Sequence, residues 1–175
     1  MLFDRAVEEA YELLGCGLAY AEQSRHSCYT AEVHLRYLRE LHAGDPVRVT
    51  FQLLDFDAKR LHTFEQLFHA EDGWVAATSE NMSLHVDMTA RKTAAFPAAV
   101  TRRLAEMKAS HSRLPRPEAA GRRRGRRRRR PLDFQWIGQV PSSVILSTLK
   151  WHPAPAFTRA RPLLVEIGCV ARRCR

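Results

Sequence analysis

The sequence of 175 residues predicts an α+β domain: a helix laid against an antiparallel sheet, with a second helix following it. Three observations carry this. The opening residues have the spacing of an amphipathic helix, the stretch from Tyr29 to Met88 alternates like several β-strands in succession, and Gly, Asp and Pro punctuate that stretch where strands would turn.

The first helix spans Leu2 to about Leu14. Phe3, Ala6, Val7, Ala10, Leu13 and Leu14 fall on one broad stripe, suited to lying on a sheet, and Gly15 and Gly17 stop it. Leu18 to His26 reads as an irregular or weakly helical connector. In the first strand Tyr29, Ala31, Val33, Leu35 and Tyr37 share one face, and Thr30, Glu32, His34 and Arg36 share the other. Glu40 to Pro46 is a turn-rich link. The second strand, Val47 to Leu54, sets Val47, Val49 and Phe51 against Arg48, Thr50 and Gln52. The third, Arg60 to Ala70, sets Leu61, Thr63, Glu65, Leu67 and His69 against His62, Phe64, Gln66 and Phe68. Asp72-Gly73 is a tight-turn signal, and Trp74 to His85 makes the fourth strand. The expected order is a helix, then a meander of about four strands. A second helix follows from Phe96-Pro97 to about Ser110, with Val100, Leu104 and Met107 as its apolar stripe, and Leu114-Pro115-Arg116-Pro117 ends it.

Composition narrows the class. Hydrophobic residues make up 45% of the chain, as in ordinary globular proteins, and no apolar run is long enough to span a bilayer. Asp4, Glu8 and Glu9 interrupt the stretch that a secretory signal would need to keep apolar, so a cytoplasmic protein with no membrane partner is expected. Cys16, Cys28, Cys169 and Cys174 lack the paired short spacing of a zinc site and read as reduced thiols. The histidines likewise show no metal-ligand spacing, so no metal is expected.

The net charge of +9 is unevenly placed. Up to Ala120 there are 14 Lys and Arg against 17 Asp and Glu; from Gly121 onward there are 14 against 2. Residues 1–120 therefore read as the folded domain and residues 121–175 as an Arg-rich tail of low order. Eight of the ten residues from Gly121 to Arg130 are arginine, and the run Arg122 to Arg130 would bind nucleic acid or another polyanion without sequence preference. No aromatic residue interleaves it for base stacking.

Tyr29 to Glu40, Gly44-Asp45-Pro46-Val47, Asp57 to His62 and His85-Val86-Asp87-Met88 together resemble the acyl-CoA thioesterases of the 4-hydroxybenzoyl-CoA thioesterase-like branch. More narrowly, they resemble the betainyl-CoA thioesterases of carnitine breakdown and the thioesterase domain of L-carnitine dehydrogenase fusions. The resemblance covers roughly Leu2 to Gly121. It implies a hotdog fold, a long helix against a curved antiparallel sheet, in a homodimer or higher oligomer that hydrolyses a short acyl-CoA such as betainyl-CoA without metal or organic cofactor. The alternative is a catalytically incomplete hotdog fragment with a polyanion-binding tail.

Two departures from the family carry expectations of their own. The chain begins at the helix, so the first strand and the acidic turn that usually supplies the catalytic carboxylate are expected to be missing, leaving a sheet edge unpaired. Pro115-Arg116-Pro117-Glu118 and Gly121-Arg122 match the family's usual ending, and the change of character beyond them predicts a tail read out of the ancestral frame.

Thioester hydrolysis needs a carboxylate to activate water or attack the carbonyl. Glu32 and His34 share a strand face and form either an acid/base pair or a solvent-side salt-bridging set. Asp4 is the acid at the helix start, suited to catalysis or to the helix dipole. Glu8, Glu9 and Glu12 lie on the helix and read as solubilising. Lys59, Arg60 and Arg91 are candidates for the CoA phosphates or, equally, solvated turn residues. Trp74 is expected in the core or at a dimer interface.

Overall fold

The computed structural model describes residues 2–121 and the backbone of residues 165–170. Its elements are α1 (Leu2–Leu14), α2 (Leu18–Ser24), β1 (His26–Tyr37), β2 (Pro46–Phe56), β3 (Arg60–His69), β4 (Val75–Asp87), β5 (Lys92–Thr93), α3 (Ala98–His111) and β6 (Val165–Val170). All pairings are antiparallel, in the order β1-β4-β3-β2-β6, with the short β5 alongside β4. This is the hotdog arrangement, helix against antiparallel sheet, that the resemblance implies.

The strand order corrects the simple meander. β1 pairs with β4 and not with β2, so the connection from residue 38 to 45 carries the chain from one edge of the four-strand block to the other. A second correction concerns β1 itself. The β1–β4 register shifts between Thr30 and Glu32, a bulge at Ala31. An extra residue in one strand reverses the alternation beyond it. Cys28 and Thr30 therefore share a face with Val33, Leu35 and Tyr37, instead of Tyr29 and Ala31.

Helix α1 buries Ala6, Ala10, Tyr11 and Leu14, whereas Leu13 is 61% exposed and lies off the stripe to which its apolarity assigned it. Its end is a Schellman motif: the Gly15 N–H donates to the Glu12 carbonyl, the Cys16 N–H donates to the Tyr11 carbonyl, and Gly15 takes φ +77°. The connector is more ordered than expected, since α2 is a helix. The Glu12 carboxylate accepts the Leu18 N–H at 2.6 Å, which gives one of the first-turn donors of α2 a partner. A Cβ at position 17 would lie 2.2 Å from Glu12 Oε1, so glycine is what lets this carboxylate approach.

Two apolar clusters fill the space between α1 and the sheet. One joins Ala10, Tyr11 and Leu14 to Phe51, Leu53, Leu61, Phe96, Val100 and Leu104. The other joins Ala6 to Val47, Val49, Leu67, Ala76 and Ala77. Between them the inward positions of β3 and β4 are polar: Thr63, Glu65, Ser79, Asn81 and Ser83, all buried. In register, Thr63 stands opposite Asn81 and Glu65 opposite Ser79. A polar band through an otherwise apolar core is expensive unless every group is bonded, and it marks where to look for chemistry.

β6 occupies the outer edge of β2, which the sequence left unpaired. The rest of residues 122–175, including the Arg122 to Arg130 run and most of the tail expected to have low order, lies outside the described residues. Among the described residues no helix is long and apolar enough to cross a membrane.

Candidate active site

A cleft of about 520 Å³ opens between α1, the α1–α2 corner and the inner face of β1, β3 and β4. Its floor is the polar band: Thr63, Ser79, Asn81 and Ser83. Its walls are Phe3, Val7, Tyr11 and Leu18 on the helical side and Cys28, Thr30, Val33, Leu35 and Tyr37 from β1. Asp4 and Glu8 line it from α1, and among the described residues no lysine or arginine does. A second, apolar hollow adjoins it, sharing Phe3 and Tyr37.

Beneath the floor lies Glu65, with no solvent exposure. Its carboxyl accepts from Thr63 Oγ1 at 2.6 Å and from Asn81 Nδ2. Asn81 Nδ2 also donates to Ser79 Oγ at 2.9 Å. With both of its N–H groups engaged, the Asn81 amide is left with its carbonyl oxygen to accept from whatever enters the cleft. Burial pushes the Glu65 carboxyl up to about 7, against the pull of its bonds to Thr63, Ser79 and Asn81. This carboxyl lies one side chain removed from the cleft. Burial also raises the phenol of Tyr11, which is hydrogen-bonded to Ser83, and a hydrogen bond to Cys16 together with burial raises the thiol of Cys28. Cys16 and Cys28 are free thiols.

Behind the α2 end of the cleft, Tyr20 Oη lies 2.9 Å from His85 Nε2, and His85 Nδ1 lies 3.0 Å from the Ala94 carbonyl. A carbonyl can only accept, so Nδ1 carries the proton and the Tyr20 hydroxyl donates to Nε2. Burial, followed by the charge of His26 stacked 5.4 Å away, holds His85 below its usual range once the opposing bond to Ala94 is included. The imidazole is a neutral peg that fixes α2 to the end of β4.

The candidate residues read from the sequence fall in different places. Asp4 lines the cleft. Glu32 and His34 stand on the opposite face of β1 from Val33 and Leu35, Glu32 exposed and His34 half-buried. His34 lies opposite Glu80 in register, and Glu80 Oε1 is 2.8 Å from His62 Nε2. Lys59 and Arg60 are at the exposed β2–β3 turn, where Arg60 Nε is 2.6 Å from Asp57 Oδ2. The Lys59 carbonyl accepts the His85 N–H at 2.8 Å, so this turn adjoins the end of β4 that carries Arg91 and β5 beyond it. Arg91, with φ 53°, is exposed there. Trp74 packs on the Ala6 cluster, beneath the Arg39 guanidinium 4.1 Å from its ring. Among the described residues no group of three His, Cys, Asp or Glu side chains gathers to hold a metal.

Glu65 was not singled out from the sequence, although the signal was there. It is the acid in the inward set Leu61, Thr63, Glu65, Leu67, placed where alternation demands an apolar residue.

The family model of the thioesterase-like superfamily matches residues 1–104. The chain belongs to this superfamily. As a thioesterase-like chain it is 39% identical over 127 residues to an L-carnitine dehydrogenase/betainyl-CoA thioesterase of Rhizobium meliloti, covering 73% of this chain and 25% of that protein. It is 35% identical over 122 residues to a betainyl-CoA thioesterase of Pseudomonas aeruginosa, covering 70% of this chain and 77% of that one. The chain thus spans about a quarter of the length of the fused relative and most of the stand-alone one. Among solved structures, a Staphylococcus aureus protein in complex with CoA superposes with TM-score 0.62 at 32% identity, covering 67% of this chain and 73% of that one. A putative thioesterase of Pseudomonas putida superposes with TM-score 0.56, also at 32% identity, over 66% of this chain and 73% of its own.

Proposed function

We propose that this chain hydrolyses the thioester of a short acyl-CoA in the cytoplasm, and that its preferred acyl group is cationic, betainyl being the best fit. The observation that carries the reading is the lining of the cleft. Phe3, Tyr11 and Tyr37 supply aromatic faces, Asp4 and Glu8 supply negative charge, and among the described residues no cation competes. A quaternary ammonium is attracted to such walls without needing a hydrogen-bond acceptor. The names of the relatives point to the same substrate.

In this reading the acyl group lies in the cleft with its thioester carbonyl over the polar floor. Asp4 takes a proton from water as the oxygen attacks the carbonyl carbon. The tetrahedral intermediate expels the CoA thiolate, which is protonated, and releases the free acid. Asn81 Oδ1 and Thr63 Oγ1, whose neighbouring hydrogens are committed to Glu65 and Ser79, accept from the water and orient it. Lys59 and Arg91 meet the CoA phosphates outside the cleft, near the end of β4. Glu32 and His34, on the other face of β1, take no part.

The assembly is a homodimer built on β1. This strand forms one edge of the sheet, and Val33, Leu35 and Tyr37 along it are 53%, 42% and 83% exposed. A second copy laid against this edge would cover them and wall the open side of the cleft.

The test is release of free thiol from betainyl-CoA, acetyl-CoA and a longer neutral acyl-CoA by the purified full chain. Fastest release from betainyl-CoA is the expected result. No release from any of them would contradict the proposal and favour the incomplete fragment with a polyanion-binding tail.

A further inference from the structure

β2 is buried along nearly its whole length, from Val47 to Leu54 except for the half-buried Arg48. One of its edges is paired to β3 from Val47 to Phe56. Its other edge is closed in two parts, both by chain that follows the sheet in sequence. At the far end α3 closes it: the Leu53 N–H donates to His111 Nδ1 at 2.9 Å, and Lys108 Nζ donates to the Leu54 carbonyl. These side chains stop any strand from pairing beyond Phe51. The remaining edge, Pro46 to Phe51, is a slot six residues long, and it takes Val165 to Val170 in antiparallel register, Pro46 opposite Val170 and Phe51 opposite Val165. Helix α1 lies over the same place, with Ala6 packed on Val47 and Val49, and it also touches β6.

We infer that the outer edge of β2 is a strand-acceptor groove whose occupant is residues 165–170, and that this strand holds α1, and with it the cleft, in position. Residues 165–170 are then part of the working domain. The 43 residues numbered 122–164 are ample to carry the chain from Gly121 to any edge of a domain this size. The groove accounts for every stretch of the outer edge of a strand whose buried amides and carbonyls could not be left to water. The inference stands apart from the thioesterase reading, since it concerns the backbone and not the chemistry.

Hydrogen exchange on the full chain tests it. In the unaltered protein, peptides covering 46–51 and 165–170 should both exchange at least about 100-fold more slowly than an unstructured reference. Along an edge strand alternate N–H groups face the partner and the solvent, so Glu166→Pro and Ile167→Pro should behave differently. One should abolish protection over 46–51 and weaken it over α1, while the other leaves both intact. If residues 165–170 of the unaltered chain exchange like a free peptide, or if both proline variants leave 46–51 fully protected, the inference is wrong. The first of these measurements needs no variant, so a variant that fails to fold does not rescue it.

Discussion

Thr63 Oγ1 lies 2.6 Å from Glu65 Oε1, in the interior of the sheet where neither residue reaches solvent. A carboxyl so placed titrates against the fold. Its folded value of about 7 is above the ordinary carboxyl value of 4.5, so between those limits the folded state holds more protons than the unfolded one. The contribution of Glu65 to stability is therefore complete below pH 4.5 and is lost as pH rises through 7. Its full size is on the order of 3 kcal/mol. Glu65→Gln should flatten this part of the dependence of Tm on pH between about 5 and 8. Thermal unfolding of both proteins across that range checks it; parallel curves would contradict the assignment.

His85 and His111 act in the opposite direction. Burial lowers both, helped by His26 in the first and by Lys108 in the second. Their contributions are complete above the unfolded histidine value and are lost as pH falls through the folded values. Tyr20→Phe removes the hydroxyl that donates to His85 Nε2 and leaves a buried acceptor without a partner, which costs about 1–3 kcal/mol. A lower Tm, with faster hydrogen exchange confined to α2 and the end of β4, is the expected signature.

His111→Ala should cost a similar amount, about 1–3 kcal/mol, because the Leu53 N–H is then buried with no acceptor. The effect should shrink on acidification, since protonated Nδ1 can no longer accept from Leu53 in either comparison. Denaturant unfolding at pH 8 and pH 5 measures both numbers.

The three acids and bases first read from the sequence separate cleanly in an activity assay. Asp4→Asn should lower kcat by at least about 100-fold, the usual contribution of a positioned general base. Glu32→Gln and His34→Ala should leave kcat within about threefold, as surface substitutions away from the chemistry do. Loss of activity in the Glu32 or His34 variant with Asp4→Asn unaffected would move the catalytic group to the other face of β1.

Periodicity and turn residues were enough to find α1, α3 and the four long strands. Periodicity failed wherever one residue broke the period. The bulge at Ala31 reversed the inner and outer faces of half of β1, and nothing in Tyr29-Thr30-Ala31-Glu32 announces it. The pairing of β1 with β4 is a long-range choice that alternation cannot express. Asp4 was legible as an acid at a helix start, but its place on the cleft depends on how α1 is rotated against the sheet. Glu65 was visible as an acid in a row of inward positions and was read as one more member of the alternation. β6 could not be read at all: Val165 to Val170 is a short stretch, interrupted by Glu166 and Gly168, whose meaning comes from the open edge of β2, more than a hundred residues earlier.

In the proposed function the cleft selects a cationic acyl group through aromatic faces and carboxylates. Betainyl-CoA and 3,3-dimethylbutyryl-CoA have the same shape and differ in a charged nitrogen against a neutral carbon, so kcat/KM for the pair isolates that charge. A desolvated cation–π contact is worth about 2 kcal/mol, which predicts roughly a 30-fold preference for betainyl-CoA, reduced when Tyr37 is replaced by leucine. Equal rates, or faster turnover of the neutral analogue, would contradict it.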